Sequence, residues 1–396
     1  MSRTVEPHVL HVIRNLDHGG AQEVVCTLAE NQRGTGGFFA CTFADGPLRA
    51  RLEAAAAAFA LVSGPRCRFS NPIRYAAELR RIERELADLV DTWRIDIIQT
   101  HLLNVMDAVV LRLQRAPRTP AVVWTFHGPE FLPLRPGPTL PLRRLACRWL
   151  YRAKVRRVDA IVTVSEAVRD AVVRQLGPAA AMARVIGNAP NPTKYHAASR
   201  PEVVRAELGL GPDAQVVLFV GRLAEEKGCR HLIDAVPTVL ARFPAAVALL
   251  AGTGPEREKL EALARRTGVS ANVRFLGARN DVADLLATAD VVCLPSLHEG
   301  LSLALLEAMS AGKPVVASDI PENRVVIEAG TTGILVPASD PGGLSEGLIT
   351  ILSDPERARQ MGQAARRHTR ASFTTERQTE RYTALYRELC PASARR

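Results

Sequence analysis

Short apolar runs recur along this chain, and several stop at a small, polar or ionisable residue. In the first half they cover residues 8–13, 97–99, 121–126 and 160–164. The last three end at Thr100-His101, His127-Gly128 and Ser165-Glu166. Helical patterns fill the gaps, for example residues 73–92. A second series follows at residues 216–219, 247–250, 273–276, 291–294, 315–317 and 334–336. Strands alternating with helical segments make βα units and a parallel sheet. Ligands of open α/β sheets bind at the carboxyl ends of strands, so the closing residues are the first site candidates.

The rhythm breaks between residues 188 and 215, where NAPNPTKYHAASRP and ELGLGPDAQ are turn-like. A chain of 396 residues is long enough for two domains. The expected class is α/β, with two Rossmann-like parallel-sheet domains facing across a cleft. Their expected bounds are 1–190 and 213–372, joined by a linker at 191–212. Residues 373–396 close the chain, with a helix over 375–389. The alanine run 54–58 reads as plain helix.

The densest chemistry lies in residues 289–318, ADVVCLPSLHEGLSLALLEAMSAGKPVVAS. The pattern reads strand, loop, helix, turn, strand. Glu299 falls in the loop and Glu307 in the helix, with Gly300 at the helix start. Backbone N–H groups at a helix start hold anions. A glutamate there often only complements the helix dipole. A carboxylate beside an anion site makes chemical sense for a ligand carrying both phosphates and hydroxyls, as a nucleotide sugar does.

A second motif is FVGRLAEEKG, residues 219–228. It brings Arg222 and Lys227 to a strand end, where an arginine fork and a lysine point charge can hold a diphosphate. Such cations stabilise the charge that builds on a departing diphosphate. A solvated basic loop is the plainer alternative. Gly19 and Gly20, in LDHGGAQ, open a helix after the first strand and permit close approach of a phosphate. Gly252 and Gly254 form a turn after another strand. His127 and His101 both end strands.

These motifs together resemble the retaining glycosyltransferases of family four. The carriers are the Glu299/Glu307 pair in its EG…EAM…G-PVVAS context, the GR-x-x-x-x-KG loop, T-x-HG at His127 and G-x-G-x-E at 252–256. The resemblance covers nearly the whole chain and is strongest over residues 216–336. It implies a GT-B fold, with the final helix packing back on the first domain. It also implies transfer of a sugar from a nucleotide diphosphate sugar, UDP-sugars being commonest, to an acceptor hydroxyl. Polysaccharide, glycolipid and glycosylated-metabolite synthesis are the fitting roles. The implied catalytic residues are Glu299, His127, Arg222 and Lys227. The implied donor contacts are Gly19, Gly20, Arg222, Lys227, Gly252, Gly254, Gly300, Leu301 and Glu307, with Glu307 on ribose hydroxyls. Two departures stand out. Gln22 replaces the usual Glu, and 185–191 reads VIGNAPN where the family has VIPNGVD, with Asn188 retained.

The net charge of +10 admits nucleic acid, anionic lipid or phosphorylated substrates as partners. No nucleic-acid motif is present and aromatics are only 5%, so nucleic acid is not expected. Residues 131–158 hold no acid but carry Arg135, Arg143, Arg144, Arg148, Arg152, Lys154, Arg156 and Arg157. Within them, Leu142, Leu145, Ala146, Trp149 and Ala153 share a helical face, which would meet either the protein core or an anionic membrane. No apolar run is long enough to span a bilayer and no signal peptide is evident. A cytoplasmic enzyme is expected, with peripheral attachment to the inner membrane face as an option. The seven cysteines include no C-x-x-C pair and the nine histidines no H-x-x-x-H cluster. Reduced thiols, no metal site and no cofactor beyond the sugar donor as substrate are expected. A nucleotide-sugar epimerase on the same architecture is the rival activity. A dinucleotide oxidoreductase is disfavoured, because neither domain opens with G-x-G-x-x-G.

Overall fold

The computed structural model describes residues 6–33, 37–65, 72–101, 105–115, 119–129, 140–191 and 200–390. They form two compact units, Met1–Gly187 with Thr375–Arg396, and Asn188–Thr374. Each is built on one parallel sheet wrapped by helices.

The first sheet has seven strands: β1 (Val9–Ile13), β2 (Phe38–Thr42), β3 (Ala58–Leu61), β4 (Ile97–His101), β5 (Ala121–Phe126), β6 (Ala160–Thr163) and β7 (Arg184–Val185). Their order is β3-β2-β1-β4-β5-β6-β7. The second has six: β8 (Val216–Val220), β9 (Val247–Ala251), β10 (Val273–Gly277), β11 (Val291–Leu294), β12 (Val315–Ser318) and β13 (Ile334–Val336), in the order β10-β9-β8-β11-β12-β13. The strand order reverses between β1 and β4 in one sheet and between β8 and β11 in the other. Such a switch point opens a crevice at the carboxyl ends of the strands. Both sheets are apolar because crossover helices bury them: β1, β2, β4, β9, β11 and β12 are buried along their whole length.

One face of the first sheet departs from that rule. The pairing sets His11 opposite Gln99, and His101 opposite both Ile13 and Thr125. His11, Gln99, His101 and Thr125 therefore share a face, and all are buried. The C-terminal helix Thr375–Leu389 covers it with Tyr382 and Tyr386, both buried. The Tyr386 hydroxyl donates to Gln99 Oε1. The Gln99 amide donates in turn to Thr125 Oγ1 at 2.8 Å. Gln378 reaches the Gly187 carbonyl at 2.9 Å, and Arg184 pairs with Glu388. This helix is part of the first unit although it closes the sequence.

Three expectations need correction. The alanine run is not continuous helix: one helix ends at Ala55, and Ala58 begins β3 by pairing with Phe39. Sheet pairing overrides alanine's helical preference there. The stretch read as linker contains the helix Pro201–Glu207. It is pinned within the second unit by Asp284, which accepts from the Arg200 N–H at 2.8 Å, and by the Arg279–Glu207 pair at 2.6 Å. The basic helix Leu140–Lys154 turns Tyr151 inward, its hydroxyl donating to Asp107 at 2.5 Å. Leu145 and Trp149 are 57% and 70% exposed, so this face does not pack into the core. Arg135 and Cys67 lie outside the described residues.

Replacing Tyr382 with Ala should cost the first unit about 3–5 kcal/mol, as for other buried aromatics. Urea unfolding followed by hydrogen exchange should show first-unit amides exposed earlier and second-unit amides unchanged. Equal loss in both units would contradict this assignment of the helix.

Candidate functional site

In the second unit the chemistry gathers at the ends of β8, β9 and β11. Three glycines let these loops touch backbone to backbone. A Cβ on Gly252 would lie 1.9 Å from the Gly221 carbonyl oxygen, and one on Gly254 would lie 2.2 Å from that of Leu223. The contact is sealed by Leu223 N–H to Thr253 O at 2.9 Å and Glu256 N–H to Leu223 O at 3.0 Å. Gly228 has φ +64, and a Cβ there would lie 2.0 Å from the Pro295 carbonyl oxygen. Next to it, the Leu297 N–H donates to Glu226 O at 2.8 Å.

This seam sets Lys227 against Glu299. The Lys227 Nζ lies 2.7 Å from each carboxylate oxygen. Ser296 Oγ donates to Glu299 Oε1, also at 2.7 Å. Glu299 is buried, so it is held by one cation and one hydroxyl in a site of low polarity. Both contacts run from one ammonium, which has three N–H donors, to one carboxylate. Arg222 stands apart from that pair, with 64% of its side chain exposed and its guanidinium on Glu226.

The helix carrying Glu307 is Leu303–Ser310, capped by Ser302, whose Oγ accepts from the Leu305 N–H at 3.4 Å. Gly300 and Leu301 thus precede the cap, and Gly300 does not open the helix as expected. Serine is a strong N-cap, and it shifts the helix start past the glycine. The Leu301 carbonyl accepts from Asn188 Nδ2 at 2.8 Å. Glu307 is half-buried within that helix. Gly252 directs its N–H to Gly277 O at 2.7 Å, so its part in the site is to shape the loop.

Two residues escaped the sequence reading. Ser296 is a common residue in a loop, and only the fold brings its hydroxyl to Glu299. Glu322, in IPEN after β12, is buried. Burial raises its carboxyl pKa, and the Glu299 charge raises it further, against the lowering effects of a backbone hydrogen bond and of His298. A second carboxylate therefore lies within electrostatic reach of Glu299.

In the first unit, Gly19 caps the helix Gly20–Asn31 with extended backbone and no side-chain cap. A Cβ on Gly20 would meet nothing within 4 Å. Gln22 donates to Asn15 Oδ1 at 2.7 Å. His127 follows β5 and joins a file of three imidazoles. Its Nε2 lies 2.9 Å from His101 Nδ1, and His101 Nε2 lies 3.1 Å from His11 Nδ1. The outer nitrogens, His127 Nδ1 and His11 Nε2, are buried without a hydrogen-bond partner. Burial pushes the pKa of His11 down to about 3 and that of His127 to about 4. His101 is also lowered, by burial first and then by its two histidine neighbours. All three rings are neutral near pH 7.

Among the described residues, no group of three or more His, Cys, Asp or Glu is placed to hold a metal ion. No described helix is long and apolar enough to cross a membrane.

Comparison with known proteins matches both halves of the chain. Residues 202–368 match the family described as glycosyl transferases group 1, and residues 18–194 match glycosyltransferase family 4. EpsD of Bacillus subtilis is 27% identical over 329 residues, 81% of this chain and 84% of its own. The α-D-kanosaminyltransferase of Streptomyces kanamyceticus is 30% identical over 246 residues, 61% of this chain and 64% of its own. Several other curated relatives are matched along only about half their length, 46% to 51%. HepE of Anabaena, solved with UDP-glucose, superposes with a TM-score of 0.81 at 21% identity, covering 96% of this chain and 99% of that one. At that identity the likeness shows the fold. This chain is a glycosyltransferase with the GT-B fold.

The buried histidines make a prediction for acid stability. Unfolded histidine binds a proton below about pH 6.5, while the folded rings stay neutral, so the unfolded state binds more protons there. Their stability contribution is intact above pH 6.5. It is lost as the pH falls, until about 3 for His11. The slope is about 1.4 kcal/mol per pH unit for each such histidine. Urea unfolding across this range should show it, and His11→Phe should flatten it. Parallel curves for both proteins would refute the assignment.

Proposed function

We propose that this glycosyltransferase moves a sugar from a UDP-sugar to an acceptor hydroxyl with retention of configuration. The observation that carries the reading is the Lys227–Glu299 pair, fixed by a backbone seam at the strand ends. Lys227 has three N–H donors, and one not engaged by Glu299 serves the departing diphosphate. The exposed Arg222 exchanges Glu226 for the same diphosphate. Glu299, held by Lys227 and Ser296, orients the donor sugar through its hydroxyls. Glu307 takes ribose hydroxyls, and Gly300 and Leu301 shape the loop around the donor. Within the first unit taken by itself, His127 suits a sugar hydroxyl and Gly19 and Gly20 suit a phosphate.

Retention is taken from the resemblance to retaining enzymes, and the site bears on the route by which it would be reached. Double displacement needs a protein nucleophile at the anomeric carbon. Glu299 is tied up by a cation and a hydroxyl, which suits a positioning role better than attack. In a front-face route the acceptor oxygen bonds to the anomeric carbon as the bond to phosphate breaks. The acceptor proton passes to the departing phosphate oxygen. UDP is favoured because UDP-glucose occupies the similarly folded HepE.

The acceptor is proposed to be lipid-linked. The helix Leu140–Lys154 exposes Leu145 and Trp149 beside the exposed Arg148 and Arg152. Apolar anchors flanked by cations suit an anionic lipid surface.

Calorimetry with UDP-glucose tests the donor site. Glu307→Ala should weaken binding by about 1.5–3 kcal/mol without unfolding the protein. Unchanged affinity in the folded variant would remove Glu307 from the site. UDP release only in the presence of an acceptor separates transfer from epimerisation.

Sedimentation with phosphatidylglycerol vesicles at low salt tests the surface. Wild type should co-sediment. Arg148→Glu with Arg152→Glu should lose about 1 kcal/mol per removed cation or more. Failure of the wild type to bind would favour a soluble acceptor.

A further inference from the structure

The two cations of the loop FVGRLAEEKG, residues 219–228, each hold a carboxylate within the second unit, and the two pairs are built differently. Lys227 reaches both oxygens of the buried Glu299 at 2.7 Å, and Ser296 adds a further contact to that carboxylate. Arg222 holds Glu226 through one guanidinium nitrogen and one carboxylate oxygen. The Arg222 side chain is 64% exposed and that of Glu226 is 25% exposed. Breaking a buried pair leaves a charge stranded in a site of low polarity, whereas an exposed pair is weak and screened by salt. Of the two carboxylates, Glu226 is the one that can yield its cation.

A spacing of four residues is routine on a helix, where such pairs meet by default. No α-helix joins these two. Arg222 lies in the loop after β8, and only Glu225–Lys227 make a short 3-10 turn. The loop folds back because its backbone is held. The Glu226 carbonyl accepts from the Leu297 N–H at 2.8 Å, and the Lys227 N–H donates to Ala224 O at 3.0 Å. Leu223 and Ala224, between the partners, are buried. The acid therefore stands on a fixed backbone, and the long, solvated arginine is the partner free to swing.

Arg222 and Lys227 are offset one for one by Glu226 and Glu299, so these four side chains sum to no net charge. A diphosphate gains fully from Arg222 only when Glu226 lets go, and a carboxylate left beside that anion repels it. As the diphosphate leaves, the same carboxylate is at hand to take the guanidinium back. We propose that Glu226 is a place-holder for the diphosphate, one that competes with the nucleotide for Arg222, weakens its binding and speeds its release. Glu226 acts through Arg222 and does not itself touch the ligand. That Arg222 holds the diphosphate rests on the function proposed above. A carboxylate that aimed the arginine at its ligand would have the opposite effect on affinity, so the sign of the change decides between the two roles.

The test is UDP binding to the full chain, with affinity from calorimetry and release rates from stopped-flow displacement of a fluorescent UDP analogue. Glu226→Gln keeps the size of the side chain and removes its charge. It should tighten UDP binding about fivefold, the equivalent of about 1 kcal/mol, mostly through slower release. The gain should shrink as salt is raised. Glu226→Ala should act in the same direction, so the sign does not rest on one variant. Glu225→Gln removes an equal charge from the neighbouring exposed residue, which holds no bond to Arg222, and should leave affinity within about twofold of wild type. Arg222→Ala should weaken UDP binding about tenfold, and in that background Glu226→Gln should bring no further gain. Equal or weaker UDP binding in Glu226→Gln overturns the proposal. So does a gain that persists without Arg222, or one that Glu225→Gln reproduces. Unchanged UDP affinity in folded Arg222→Ala takes the arginine off the diphosphate, and it is then the functional reading beneath the proposal that fails.

Discussion

The Pro295 carbonyl oxygen lies where a β-carbon on residue 228 would have to be. The arrangement of the second unit's site depends on that contact and its counterparts at Gly252 and Gly254. Peptide groups are stiff, so loops in backbone contact have little freedom to drift. Lys227 and Glu299 lie on loops from different strands, yet they meet with two contacts of 2.7 Å. A flexible lysine gains its definition from the left-handed turn that follows it. Groups fixed before the ligand arrives need little rearrangement as charge develops, which is the main source of electrostatic stabilisation in such sites.

The first unit solves a similar problem with side chains. Its sheet carries polar residues on a buried face, where each must find a partner. Tyr386, Gln99 and Thr125 form one file and the three histidines another. The first file ends at Thr125 Oγ1. The second ends on two buried nitrogens, His11 Nε2 and His127 Nδ1, without hydrogen-bond partners.

Much of this was legible beforehand because parallel sheets write themselves as short apolar runs. All of β4, β5, β8, β9, β11 and β12 announced themselves in that way. β2 and β3 did not: FFACT is as compatible with a buried helix as with a strand, and AFAL follows a helical alanine run. In the site, glycines and charged residues beside strand ends were readable one at a time. Their partners were not. The sequence does not say that Ser296 turns its hydroxyl to Glu299, three residues on, because the path of the loop decides it, nor that His11 faces His101, because that contact is made across strands. The buried histidine at position 11 interrupts an apolar run, and that interruption was the available signal.

The C-terminal helix belongs to a unit whose other elements were laid down at the start of the chain. During synthesis, the second unit leaves the ribosome whole before the first unit has its last helix. The polar face with His11, Gln99 and His101 therefore waits, uncovered, until residues 375–389 have been made. The amino-terminal unit is then the later of the two to close, reversing the usual order in which domains mature. A chain broken off just before residue 375 keeps one intact half and one unsealed sheet, a product that proteases can distinguish from a chain that carries the helix.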